Sequence, residues 1–457
     1  MASSWTVDST GTIYTFQLRS NGRWSDGSQL VAADFVAGLK RAVDPQTASG
    51  SAALLTPVKG ASEIIAGRKN LSELGVVALG NSTVEIRLEH SAPFILEILA
   101  QPIAAPFRAL TASPASSITS SNRQALTDGA YTLFAHVPGS YIELERNPRY
   151  WDSEHVAIER IRYLNSESEA TELREYLAGQ LDLTFTIPTA DLTRISKDYP
   201  AEIQNKPFLA TLYLALNLTA APMKNNRELR QALSMAVDRE IIASRIMMGV
   251  TPAYSFVAKG AAGYSPPEYG WSKWSREQQL ADARNHYQAA GYAVGNPLHL
   301  RLYFNQDEGI RRLMIAIAGS WKQNLGVETE LISDEFRVFL VDRKDRSRWD
   351  IARLGWTADY DDPSSFLEIF AKNSTQNDPG YLNAAFDDLL ERAAIEPINQ
   401  IRFDLLKNAE QLLLDDYPII PIYFYQARRL VKPYVGGAEL TPMNRTYSKH
   451  LFWKQNQ

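Results

Sequence analysis

Arg353 and Asp359 stand six residues apart in the segment from Trp349 to Pro363. If residues 351–359 are extended, Arg353, Gly355, Thr357 and Asp359 share one face. Ala352, Leu354, Trp356 and Ala358 share the other. The first face carries a guanidinium and a carboxylate separated by a glycine and a small hydroxyl residue, so another backbone could lie alongside without a side-chain clash. Six residues of strand span at most about 20 Å. That is longer than a dipeptide and comparable with an extended tetra- or pentapeptide of roughly 13 to 17 Å. On this reading Asp359 takes an α-ammonium, Arg353 takes an α-carboxylate, and the strand at 355–357 bonds a peptide main chain. The same pattern also fits an internal Arg–Asp pair or two unrelated surface charges.

Other chemistry finds little support. The six histidines, His90, His136, His155, His286, His299 and His450, have no ligand spacing, so no metal site is expected. There is no Gly-x-Ser-x-Gly elbow, no phosphate-cradling loop and no dinucleotide-binding glycine pattern, and no catalytic residues or cofactor are expected. The adjacent carboxylates Asp361-Asp362 and Asp415-Asp416 read as solvated turn or helix-end charges.

The elements that would carry this segment are legible in part. Alternation marks strands at 13–18 and 83–88, with a turn at Ser25-Asp26-Gly27 and a helical face of Val31, Phe35, Val36 and Leu39 between them. The Ser, Thr, Ala and Pro of 111–121 read as a connecting loop and a lobe boundary. Strand patterns follow at 141–145, 158–164 and 209–216, with helical patterns at 168–178 and 226–242. Ser275-Arg276-Glu277-Gln278 is a capping box whose helix should stop near Gly291. Strand 298–303, helix 309–324 and strand 327–332 have the lengths of a crossover unit and predict parallel strands. A helix over 399–416 and strands at 419–425 and 429–431 close the series.

Bulk properties bound the class. At 457 residues the chain exceeds what one core usually serves, so two or three lobes are expected. Hydrophobic residues at 45%, aromatics at 10% and charged residues at 22% describe a folded globular chain. The net charge of −5 comes from mixed acidic and basic residues without a basic run, which argues against nucleic acid as a partner. No apolar stretch reaches the roughly 20 residues of a membrane span, and the first residues have neither the basic nor the apolar region of a secretory signal. There is no cysteine, which excludes disulfides and thiolate sites.

Gly355-Trp356-Thr357-Ala358-Asp359-Tyr360, followed by Pro363 and Phe366, resembles the peptide-binding segment of the oligopeptide-binding proteins of bacterial ABC importers, solute-binding protein family 5. The resemblance continues through Trp24-Ser25-Asp26-Gly27 with Ala33-Asp34-Phe35, and Val43-Asp44-Pro45 with Thr47-Ala48-Ser49. It extends to Gly129-Ala130-Tyr131, Leu144-Glu145-Arg146-Asn147 with Tyr150-Trp151, and Arg230-Gln231-Ala232-Leu233 with Asp238-Arg239. Pro421-Ile422-Tyr423-Phe424-Tyr425 and Arg429-Leu430-Val431, with Pro433 and Gly436-Gly437, complete it.

The resemblance implies an α/β type II periplasmic-binding-protein fold, with two large α/β lobes joined by a hinge and a smaller α+β lobe. The expected boundaries are 1–110 for the smaller lobe, 111–211 with 427–457 for the first large lobe, and 212–426 for the second. It implies a monomeric, periplasmic, non-catalytic receptor that captures short extended peptides and delivers them to the permease subunits of an ABC importer. By resemblance Asp359 binds the peptide amino terminus, Gly355 and Thr357 supply main-chain bonds, and Arg353 meets the carboxylate. Trp356, Arg343, Phe336 and Tyr425 fall where family members line the site. Family members carry a signal and several dozen further residues before the first match, so the first large lobe is expected to be incomplete at its N-terminus.

The chain departs from the pattern at Ile310, where a family histidine helps hold a carboxylate, and near Ser51, where a tyrosine is expected. Two other readings stay open. One is a different solute, such as a murein peptide, nickel or haem. The other is the ligand-sensing domain of a regulator, which a helix-turn-helix encoded upstream would reveal.

Overall fold

The computed structural model describes residues 1–108, 126–166, 168–293 and 295–454; the boundary loop expected at 111–121 lies outside them. Strands β1 (Ala2–Val7), β2 (Ile13–Leu18), β3 (Val76–Leu79) and β4 (Thr83–Arg87) form an antiparallel sheet in the order β1-β2-β4-β3. Alternate residues Val76, Val84 and Ile86 are buried, as period-2 patterning requires, and pack with Leu39 and Val43 of the helix Ala32–Val43. That helix starts where Asp34 reaches back to accept Val31 N–H at 3.0 Å, while also accepting Trp24 Nε1–H at 3.0 Å. The turn before it needs Gly27, whose φ is +92°.

A second antiparallel sheet joins β5 (Tyr131–Val137), β6 (Tyr141–Arg146) and β7 (Arg160–Leu164). Its buried side chain is Glu143, held by Arg162 at 2.7 Å. The helix Glu169–Leu177 follows, with Ser168 accepting Thr171 N–H at 3.2 Å as its cap.

The largest sheet holds β8 (Ile203–Leu216), β9 (Thr251–Pro252), β10 (His299–Asn305), β11 (Glu328–Asp334), β12 (Ile351–Thr357) and β13 (Ile419–Leu430), ordered β11-β10-β12-β8-β13-β9. β10 and β11 are parallel and joined by the helix Glu308–Leu325, the crossover that the sequence predicts. Both faces of β8 are buried. Leu212, Leu214 and Leu216 pack against the helices Arg227–Ala236, Arg276–Ala289 and Glu308–Leu325, and Tyr213 and Ala215 pack against Phe256, Phe366 and Phe370. Strands β14 (Val435–Gly436) and β15 (Phe452–Trp453) form a short final pair.

β8 and β13 are longer than the sheet needs, and their ends at Ile203 and Leu430 run out toward the second sheet's part of the chain. There Thr184 N–H donates to Leu430 O at 2.9 Å. These two antiparallel strands are a physical link between the parts, and this is an α/β type II periplasmic-binding architecture, with lobes and a hinge.

Two local expectations are corrected. The helix expected over 226–242 ends at Ala236, because Val237 is extended and Asp238 caps a new turn by accepting Ile241 N–H at 3.0 Å. Buried Arg239 then bonds the carbonyls of Ala253 and Pro421 at 2.9 and 2.8 Å. Asp362 is not a solvated turn charge. It is 5% exposed and pairs bidentately with Arg402, itself 1% exposed, at 2.6 and 2.7 Å.

Candidate functional site

β12 is paired on one side along its whole length, from Ile351↔Leu216 to Thr357↔Ala210 of β8. On the other side only Ile351 and Ala352 pair, with Leu302 and Tyr303 of β10. From Arg353 onward the strand therefore has an open edge among the described residues. A sheet edge with unpaired N–H and C=O groups is a template for another strand. The expected alternation is present: Ile351, Ala352, Leu354 and Ala358 are buried, Gly355 and Thr357 are exposed, and Arg353 and Asp359 are half-buried.

Arg353 Nη1 donates to Asn305 Oδ1 at 3.1 Å and Nη2 donates to Tyr425 Oη at 2.8 Å. Its Nε is buried without a partner among the described residues, and neither of its bonds goes to an acid. A part-buried guanidinium held by two neutral oxygens retains its capacity for an anion. Tyr425 is set by an irregularity in β13. Pairing passes from Phe424↔Thr211 to Gln426↔Pro207, so Tyr425 stands opposite Phe208–Ala210, which do not pair with β13. Its ring lies 5.9 Å from that of Phe208. At Gly355 a Cβ would meet Tyr425 Oη at 3.0 Å, so glycine is the residue that lets the tyrosine lie over the strand.

Asp359 has its main chain fixed and its carboxylate free. Its N–H donates to Ser365 Oγ at 2.8 Å, and its C=O accepts from Gln101 Nε2 at 2.7 Å and Arg445 Nη2 at 3.2 Å. The carboxylate has no hydrogen-bond partner among the described residues. Burial pushes its pKa above the ordinary value, and the Arg445 guanidinium partly offsets this. Such a group gains most from a cation that desolvates with it.

The other expected residues are placed differently. The Trp356 indole turns to the opposite side, where Nε1–H donates to Ser365 O at 2.6 Å and tethers the loop after β12. Arg343 is engaged with Asp378 at 3.2 Å and Gln376 at 3.2 Å, which is a structural ion pair. Phe336 opens the helix Phe336–Asp342 and is 49% exposed. Ile310 is 7% exposed and packs into the core, so its side chain offers nothing to a carboxylate. Sequence reasoning missed Asn305, Phe208, Gln101 and Arg445, which are remote in sequence and lack local pattern. The Asn305 position, at the end of a predicted parallel strand, was the one available signal.

These features have known counterparts. The family model described as "Bacterial extracellular solute-binding proteins, family 5 Middle" matches residues 1–378. The periplasmic oligopeptide-binding protein OppA of Salmonella typhimurium is 36% identical over 445 residues, covering 96% of this chain and 82% of that protein. The structure of the Escherichia coli murein tripeptide binding protein MppA superposes with a TM-score of 0.89 at 31% identity, over 100% of this chain and 89% of that one. The crystal structure of Haemophilus influenzae OppA complexed with the peptide RPPGFSPFR gives a TM-score of 0.87 at 30% identity, over 99% and 89% of the two chains. With a half-paired strand bracketed by an acid and a base, and matches that run through nearly all of its length, the chain belongs to the bacterial extracellular solute-binding proteins of family 5, which bind solutes and catalyse no reaction.

Proposed function

We propose that this protein is a periplasmic receptor for short extended peptides that presents them to the permease subunits of an ABC importer, acting as a monomer. The carrying observation is the carboxylate of Asp359, half-buried, without a hydrogen-bond partner among the described residues and raised in pKa, at one end of the open edge of β12. An α-ammonium supplies the missing charge, and Arg353 at the other end takes the α-carboxylate. Gly355 and Thr357 bond the ligand main chain as an added strand, and Tyr425 covers it. With the main chain and ends recognised, ligand side chains face hydrated space and are weakly selected. The apolar Ile310 leaves Arg353 as the principal anchor for the carboxylate, which loosens the constraint on ligand length.

The lobes follow this assignment: a smaller one over 1–110, a first large one over 111–211 with 427–457, and a second large one over 212–426. β8 and β13 cross between the large lobes. Names of the relatives support peptide capture and a periplasmic location, and the Haemophilus influenzae OppA complex with RPPGFSPFR supports a peptide as ligand.

The test is thermal shift of the purified protein with free di- to pentapeptides and the same peptides N-acetylated. Free peptides raise Tm and acetylated ones do not, because a ligand that binds only the folded state stabilises it. Equal shifts with both sets would remove Asp359 from amine recognition, and no shift with either would point to another solute.

A further inference from the structure

Side chains from three separate stretches of the chain end on the main chain of Asp359. Gln101 comes from the N-terminal part, Ser365 from the loop after β12 and Arg445 from the C-terminal segment. Gln101 follows the short helix Ile95–Leu99, and that helix region grips the next two residues as well. The Phe94 ring stacks on Tyr360 with centroids 4.6 Å apart, and Glu97 Oε2 accepts Asp361 N–H at 2.6 Å.

Arg445 is delivered by a tight turn. Thr441 Oγ1 accepts Arg445 N–H at 3.0 Å, and Thr441 O accepts Asn444 N–H at 2.9 Å. Pro442 O in the same turn accepts Leu209 N–H at 2.8 Å, and Leu209 O accepts Ala358 N–H at 2.8 Å. The turn is thus bonded to β8 at the point where β12 ends.

We propose that Gln101 and Arg445 are positioning residues for ligand capture, a clasp that fixes the direction of the Asp359 carboxylate by holding its carbonyl from two other parts of the chain. The inference rests on the reading of Asp359 as the amine site. With N–H and C=O both tied, only the side-chain torsions of Asp359 remain to be ordered when a ligand binds, so less freedom is lost on binding. The clasp also joins ligand capture to the seating of the N-terminal part and the C-terminal segment, because release of either removes one of the two bonds that hold the carbonyl. Arg445 has a second effect through its charge. It favours the ionised carboxylate, and the acids nearby, Glu97, Asp361 and Asp362, sit around the adjoining residues.

The test uses the full chain, with tetra-alanine and N-acetyl-tetra-alanine titrated calorimetrically from pH 4 to 8, and with the melting temperature of each unliganded protein measured alongside. Gln101→Ala weakens tetra-alanine binding by about five- to tenfold, because the freedom returned to Asp359 has to be lost again on binding. Arg445→Gln moves the acid-side midpoint of binding to higher pH, and Arg445→Lys, which keeps the charge, leaves that midpoint near the parent's. Parent-like affinity in Gln101→Ala together with a parent-like midpoint in Arg445→Gln overturns the clasp, as does an affinity loss that follows a lowered melting temperature with the midpoint unmoved. If the parent itself binds the acetylated and free peptides alike, the amine reading fails, and the clasp falls with it.

Discussion

Arg353 Nη2 donates to Tyr425 Oη at 2.8 Å, joining the middle of β12 to the irregular point of β13. The bond ties the guanidinium to the tyrosine whose hydroxyl lies over Gly355. Tyr425→Phe removes the acceptor and leaves the packing. The expected result is an affinity for free tetrapeptides about tenfold lower, because Arg353 is no longer held at the edge, together with a lower unliganded Tm, since a hydrogen bond to a charged group is worth about 1.5–3 kcal/mol. Calorimetric titration beside a thermal melt checks both halves.

Gly355 tests the edge itself. Gly355→Ala places a Cβ 3.0 Å from Tyr425 Oη, a contact the tyrosine can relieve by shifting, and Gly355→Val leaves no such escape. Affinity is expected to fall by roughly tenfold for alanine and beyond detection for valine, while circular dichroism of both variants stays native. A valine variant that binds as the parent does would mean that the ligand lies elsewhere.

Asp359→Asn separates stability from function. The carboxyl has a raised pKa, so its ionised form is disfavoured by the fold. Its contribution is most favourable below the unfolded value of 3.8 and is lost as pH rises through the higher folded value. At pH 7 the amide therefore raises the unliganded Tm and abolishes the preference for free over acetylated peptides. Ligand binding in the parent has the opposite sense. It is present above the folded pKa and fades as the carboxylate is protonated, and in the variant this acid limb disappears.

Glu410 governs pH stability away from the site. Burial pushes its pKa to about 8, with bonds from Val257 N–H, Tyr264 Oη–H and Phe256 N–H working against that. The stability it contributes is full below its unfolded value of 4.5 and is progressively lost as pH rises to about 8. Glu410→Gln should flatten the fall of denaturation midpoint across that window, as followed by urea titrations at pH 5, 7 and 9.

The pair Arg402–Asp362 is fully desolvated, so removing one partner strands the other. Asp362→Ala is expected to cost about 3–5 kcal/mol, measured by urea unfolding, and to loosen the loop that carries Asp359. The double variant Arg402→Met with Asp362→Leu should recover much of that loss.

The sequence made the chemistry of β12 legible because alternation separates Arg353, Gly355, Thr357 and Asp359 from Leu354, Trp356 and Ala358 without any knowledge of neighbours. The crossover unit and the capped helix Arg276–Ala289 were legible for the same reason, since their signals are local. β1 and β5 escaped notice because neither has a strictly alternating pattern, and β8 was read six residues short because Lys206 and Pro207 interrupt it. Asp362 was misread because nothing in its vicinity announces that Arg402, 40 residues away, will reach it. Gln101 and Arg445 meet Asp359 across 258 and 86 residues, a distance over which periodicity carries no information.

The half-paired state of β12 bears on solubility as much as on capture. An exposed strand edge ordinarily invites another copy of the same chain to add on, the first step toward aggregation. Here the edge runs for only a few residues, and a charge stands at each end. A longer strand approaching it would have to bury Arg353 or Asp359 against its own uncharged main chain, whereas a short segment with opposite charges at its termini would not. The two charges therefore act as gatekeepers, and the protein carries an open template without offering it to itself.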